Sequence, residues 1–305
     1  MSDDQLGQLF ALSAAITWAG ALVLFKRSGE RIAPLALNLF KNTVGLLLLA
    51  ATMVVLTSLG RDNPGALLTH PIGDLCILMF SGIIGIAIAD TMFFHGLNLI
   101  GVGLVSVVDC TYTPFAIVFS WLLLAEHLTI WHYAGAALIV AGVFTATRHR
   151  LPDNRTRGQI VFGILLTMGA IATMAFGIVL VKPLLEQRDM PLFAVTALRL
   201  AAGTAFLALF ALIGRDWRRH WTVFRPSPTW KVAIPGSFLG AYLSLVFWVA
   251  GFKYTYAALA AVLNQTSVIF AAILAAVFLK EQFGPRKIAA LVLAVVGVLI
   301  VRLSG

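Results

Sequence analysis

GLVSVVDCTYTPFAIVFSWLLLAE, residues Gly103–Glu126, is written twice in this chain. A shift of 155 positions brings ALAAVLNQTSVIFAAILAAVFLKE, Ala258–Glu281, into register with it, so that Asp109 falls on Asn264, Phe115 on Phe270 and Glu126 on Glu281. The same shift carries Gly85 to Gly240, Gly96 to Gly251 and Gly142 to Gly297. One offset shared by residues so far apart marks a duplication, and each half has to be read against the other.

Both halves are too apolar for a soluble domain. Of 305 residues 60% are apolar and 11% charged, and the mean hydropathy is +0.94. Apolar runs of about 20 residues recur, the length a ~30 Å hydrocarbon core demands of a helix, and they lack the alternation of barrel strands. Ten spans are predicted: 6–26, 34–57, 73–97, 102–125, 130–147, 159–181, 191–213, 229–252, 257–279 and 285–303. Pro34, Pro191 and Pro285 stand where a helix start tolerates proline. Asn98 to Gly103 reads as the turn between the third and fourth spans, because a continuous helix of about 50 residues fits no bilayer. The opening MSDDQLGQ lacks the basic n-region of a signal peptide, so the first run is read as a span. Cys76 and Cys110 lie near opposite ends of spans, and no disulfide is expected.

The expected fold is an all-α integral membrane protein. It has ten transmembrane helices as two inverted five-helix repeats around a central cavity, with residues 1–148 and 159–305 joined by a basic linker, 149–158. Inversion follows from the odd span count, since the second copy then enters from the opposite side. The loops after the first, fifth, seventh and ninth spans, with the span ends beside them, carry 15 lysines and arginines against 5 on the other side. The positive-inside rule therefore puts the basic face in the cytoplasm and both termini outside. A bacterial inner membrane is the expected location. In WRRHWTVFRPSPTWK, Trp217–Lys231, aromatics alternate with basic residues, a composition for anionic lipid headgroups rather than nucleic acid.

Charges left inside the spans are the candidate functional residues, because each is costly in lipid unless paired or wetted. They are Lys41, Asp90, Asp109 and Arg199. By 1.5 Å per residue, the first three sit about 10 Å below the basic face and can share one layer. Asn38, Lys41 and Gly45 match Thr196, Arg199 and Gly203 at an offset of 158, a stripe of polar residue, cation and glycine on one helix face in each half. The acids are not echoed: Asp90 aligns with Leu245 and Asp109 with Asn264. Lys41 can neutralise one carboxylate, leaving the other free to carry a proton or hold a cationic group. Arg199, with no acid in its layer, suits an anionic group. A zwitterion such as an amino acid would satisfy both. The plainer alternative is that these charges only lock helices together or reach for the interface.

Tyr112 and Thr113 share the Asp109 face, Trp18 lies near the midplane of the first span, and Asn42 and Gln265 can line a path or bind helix to helix. The expected substrate contacts are thus Trp18, Asn38, Lys41, Asp90, Asp109, Tyr112, Thr113, Arg199, Asn264 and Gln265. Glu126 and Glu281 are expected to serve the turns after their own spans, and Lys26 and Lys182 to anchor in headgroups.

Several of these residues also resemble the drug/metabolite transporter superfamily, specifically its EamA-like ten-span members. The resemblance rests on Trp18 and Lys26 in the first span, on Phe40–Lys41 repeated as Leu198–Arg199, and on Thr113–Pro114–Phe115 with Leu123–Leu124–Ala125–Glu126 in the fourth. The second copy departs from it, with Val268–Ile269 in place of Thr-Pro and Lys280 before Glu281. The resemblance implies a basket of helices with the fifth and tenth spans peripheral, and export or exchange of amino acids, other metabolites or drugs. Asp90 and Asp109 lie outside its motif.

The leading expectation is a secondary carrier of a small polar metabolite working by alternating access, with Asp90 and Asp109 as candidates for proton coupling. A kink is expected at Pro114, which removes a backbone hydrogen bond. Absence of GxxxxGK[ST] argues against ATP as the driver, and neither cofactor nor metal is expected. A passive uniporter or a multidrug or lipid carrier would use the same cavity. A membrane-embedded enzyme on lipid-linked substrates would need a richer acid cluster or a nucleophile–base set. Nothing in the sequence sets an oligomeric state.

Overall fold

In the computed structural model, which describes residues 3–60, 63–124, 130–147, 156–187, 190–213, 217–255, 260, 263–281 and 284–303, the regular elements are all helical. They are α1 (Asp3–Gly29), α2 (Pro34–Ser58), α3 (Ile72–Gly82), α4 (Ala89–Asp109), α5 (Tyr112–Leu124), α6 (Ile130–Thr147), α7 (Arg157–Leu185), α8 (Leu192–Ile213), α9 (Trp217–Trp221), α10 (Trp230–Ser237), α11 (Leu245–Tyr254), α12 (Ser267–Phe278) and α13 (Pro285–Leu303). Glu126 and most of the linker lie outside the described residues.

Local chemistry sets the helix starts. Pro34 opens α2 with its φ already helical and no N–H to lose. Thr156 and Gln159 form a reciprocal capping box at the start of α7. The outward faces leave large apolar side chains such as Val54, Phe210 and Val277 exposed, a surface that requires lipid.

Among the described residues, six helical stretches are long and apolar enough to cross a bilayer: Asp4–Gly29, Pro34–Ser58, Ile72–Asp109, Arg157–Leu185, Leu192–Ile213 and Trp230–Tyr254. Four apolar stretches are shorter: Tyr112–Leu124, Tyr133–Gly142, Leu263–Phe278 and Ile288–Gly297. The difference from ten even spans has a local origin. The expected third span runs on into the start of the fourth as 38 residues, and the helix is broken there at a single residue, Gly101, at φ 76° and ψ 170°. Only glycine holds that conformation without strain. The fourth span breaks again at Cys110–Thr111, just below Pro114, whose ring excludes the carbonyl four residues back. The expected kink therefore falls there. The ninth breaks at the corresponding Thr266 although it has no proline.

A second irregularity is also duplicated. α3 passes into α4 through a π-helical stretch, Ile83–Ile88, and α10 into α11 through another, Phe238–Ser244. Each accepts a glycine from the other half. A Cβ on Gly45 of α2 would stand 2.6 Å from the Ala241 carbonyl, and one on Gly203 of α8 would stand 2.8 Å from that of Gly82. The halves are interlocked at these two crossings. α6 and α13 pack on each other at the edge, away from them.

Candidate functional site

The polar interior begins with α2. Lys41 Nζ lies 2.7 Å from Asp90 Oδ2 and donates to Asn42 Oδ1 at 2.7 Å. Asn42 donates to Asn38 Oδ1 at 3.0 Å. Asn38 in turn donates to the carbonyls of Ile86 and Ala87, both at 3.0 Å, within the first π-helical stretch. A π-turn loosens the regular ladder, and in lipid each freed carbonyl must find a donor within the protein. One ladder thus neutralises the cation and satisfies the irregular backbone.

The second half answers with fewer partners. Arg199 of α8 is 1% exposed. Its Nε donates to Ser81 Oγ at 3.1 Å, and its Cζ lies 5.8 Å from the centre of the Trp248 ring. Among the described residues Nη1 has no hydrogen-bond partner, and no carboxylate pairs with this cation. Among the described residues Thr196, which corresponds to Asn38, bonds the Leu192 carbonyl of its own helix.

Both ends open on one cavity, with about 900 Å³ of space when the open solvent at its mouth is included. Much of its lining falls into pairs related by the 155-residue shift: Gly85 with Gly240, Ile86 with Ala241, Asp90 with Leu245, Phe93 with Trp248, Asp109 with Asn264 and Tyr112 with Ser267. Lys41 and Arg199 add a pair at 158. Corresponding positions of both copies therefore build the cavity. The breaks at Cys110–Thr111 and Thr266 adjoin it, an arrangement of discontinuous helices that exposes helix ends to a bound polar group.

Of the ten expected contacts, Trp18, Lys41, Asp90, Asp109, Tyr112, Arg199, Asn264 and Gln265 line this cavity. Asn38 and Thr113 do not. Asn38 is fully buried and committed to the α4 junction, and Thr113 is buried off the lining. Lys41 takes Asp90, so Asp109 is the carboxylate left over, half-buried and without a described hydrogen-bond partner. Asn264 Nδ2 and Gln265 Oε1 are likewise buried and have no hydrogen-bond partner among the described residues. Sequence reasoning missed Ser81 and Trp248. The repeat register pairs Trp248 with Phe93, which was not a candidate either. Ser81 has no polar counterpart at the shifted position, which is Gly236. Among the described residues, no group of three His, Cys, Asp or Glu side chains could hold a metal.

Three residues at the span ends have other roles than expected. Lys26 Nζ donates to the Leu97 and Asn98 carbonyls at 3.1 and 3.4 Å. Lys182 Nζ donates to those of Phe252 and Thr255 at 2.8 and 3.4 Å, and pairs with Glu186. Both lysines turn inward to bind helix C-terminal carbonyls, where a cation is favoured over a headgroup contact. Glu281 does not serve its own turn. Its Oε1 and Oε2 accept the N–H groups of Val102 and Gly103 at 2.9 and 2.8 Å. It thereby caps the helix that restarts after Gly101, using the favourable pairing of carboxylate with a helix N-terminus. Its counterpart Glu126 lies outside the described residues.

The profile of the EamA-like transporter family matches twice, at residues 5–148 and 161–303. An uncharacterized transporter of Archaeoglobus fulgidus is 22% identical over 295 residues, covering 97% of each chain. The uncharacterized transporter YoaV of Bacillus subtilis is 28% identical over 141 residues, 46% of each. A solved crystal structure superposes with a TM-score of 0.73 at 19% identity, covering 99% of this chain and 98% of that one, a likeness of fold. With apolar helices long enough to span a bilayer and a family profile that covers nearly its whole length, the chain belongs to the EamA-like transporter family, integral membrane transporters rather than enzymes.

Proposed function

We propose that this transporter is a secondary carrier of small zwitterionic metabolites, amino acids or close relatives, worked by alternating access. The observation that carries the reading is the shared cavity. Arg199 brings to it a guanidinium that no described acid neutralises, and Asp109 brings a carboxylate that no described base neutralises. A buried charge of either sign is costly alone. A substrate with a carboxylate for Arg199 and an ammonium for Asp109 offsets both at once. With the substrate gone, a proton on Asp109 neutralises the carboxylate alone, which makes Asp109 rather than the paired Asp90 the coupling group.

In this reading the chain crosses the membrane ten times, with Gly101 as the turn between the third and fourth crossings. The 38-residue stretch would otherwise extend about 57 Å. The two halves are inverted and rock about their glycine crossings, with both termini outside a bacterial inner membrane. The exposed Arg218, Arg219, Arg225 and Lys231 meet anionic headgroups at the cytoplasmic face.

Two variants in liposomes test the mechanism. Arg199→Gln weakens uptake of L-leucine more than that of L-leucinamide; equal loss of both removes the anion site. Asp109→Asn loses accumulation driven by a pH gradient while keeping exchange at equal pH; unchanged accumulation removes proton coupling. Reporter fusions at residues 150 and 250 on the same side of the bilayer would overturn the inverted topology.

A further inference from the structure

Arg199 is a long side chain with several rotamers, and a guanidinium discriminates between anions only when its plane is held. Two contacts hold it, and a third fixes the backbone that carries it. Nε donates to Ser81 Oγ, the Trp248 ring lies beside Cζ, and the α8 backbone at Arg199 presses on α3 at Gly82, where a Cβ would stand 2.0 Å from the Arg199 carbonyl. Ser81 does more than accept one bond. Its hydroxyl donates to the Gly177 carbonyl of α7 at 2.7 Å, so its proton is committed and a lone pair faces the guanidinium. It is fully buried, so water does not compete for that lone pair. The link therefore ties α3, α7 and α8 together at the cation. Nη1 is left without a partner.

From this geometry we infer that Ser81 is a positioning residue for substrate selection. It fixes the plane of the guanidinium that lines the cavity, where a planar oxyanion would bind, and it sets the preference for a carboxylate over its neutral amide. This rests on the reading of Arg199 as the anion site and adds the residue that orients it. Ser81 need not touch the substrate.

The test is competition by L-leucine, L-leucinamide and 4-methylpentanoate in liposomes carrying Ser81→Ala, Ser81→Thr, Ser81→Val or Arg199→Gln. The expected result is a roughly tenfold fall in the leucine-to-leucinamide preference in the Ala and Val variants, the size of one lost charge-assisted hydrogen bond. The Thr variant keeps the preference. Leucine's advantage over 4-methylpentanoate, which reports the ammonium end, stays unchanged in all the Ser81 variants; a mere packing defect would lower both preferences together. If the Ala variant does not fold, Thr against Val decides, because the two share a shape and differ by the hydroxyl.

Preference kept in the Ala and Val variants but lost in Arg199→Gln overturns the role of Ser81 and leaves the anion site standing. Preference kept in Arg199→Gln, or absent from the wild-type protein, overturns both.

Discussion

The two ends of the cavity start from the same stripe of residues and finish differently. At the Lys41 end the cation has an acid at 2.7 Å and an amide at the same distance, and the network runs on to the backbone of the neighbouring helix. At the Arg199 end the acid's place is taken by Leu245, and one guanidinium nitrogen has nothing to bind. A duplicated scaffold thus carries one charge that it neutralises itself and one that no described acid neutralises. The first is suited to hold helices together and the second to bind.

The contrast can be broken most directly through stability. Lys41→Met strands Asp90 without its counter-charge and should cost about 3–5 kcal/mol, read as a lowered thermal midpoint in detergent. Adding Asp90→Leu should recover most of that loss. Arg199→Met, which removes a charge with no acid partner, should cost less than about 2 kcal/mol. Equal losses at the two ends would dissolve the distinction. The contrast can also be erased by design. Leu245→Asp places an acid where the first half has Asp90, so Arg199 should pair internally and carboxylate binding should fall tenfold or more, about 1.4 kcal/mol, with the fold retained in thermal unfolding.

Two smaller effects test how the second half supports the first. Glu281→Gln weakens the cap on Val102 and Gly103 and should cost about 1–2 kcal/mol, with faster amide exchange confined to those two residues. Lys280 holds φ at 54° to deliver Glu281. Lys280→Gly should relieve that strain and gain about 0.5–1 kcal/mol, measured as a raised midpoint.

Some of this was legible in the residues. A charge within an apolar run is conspicuous because lipid makes it costly, which is why Lys41, Asp90, Asp109 and Arg199 stood out and why all four line one cavity. Gly101 was legible from length, since no bilayer takes the uninterrupted helix. Asn38 was not, because its partners are carbonyls freed by a π-turn that no local pattern announced. Lys26 and Lys182 were misread for a related reason: a lysine at a span end looks the same whether it reaches for a headgroup or for a helix terminus. Ser81 is one serine among many until Arg199 is placed beside it.

Glu281 lies about 180 positions downstream of the amides it receives. During synthesis, Val102 and Gly103 emerge long before their acceptor exists, so the helix that restarts after Gly101 must enter the bilayer with those donors served by water or by a transient neighbour. The first half of the molecule reaches its final form only when nearly the last helix has been made. A chain stalled before residue 281 would carry the whole first copy and still lack the group that finishes it.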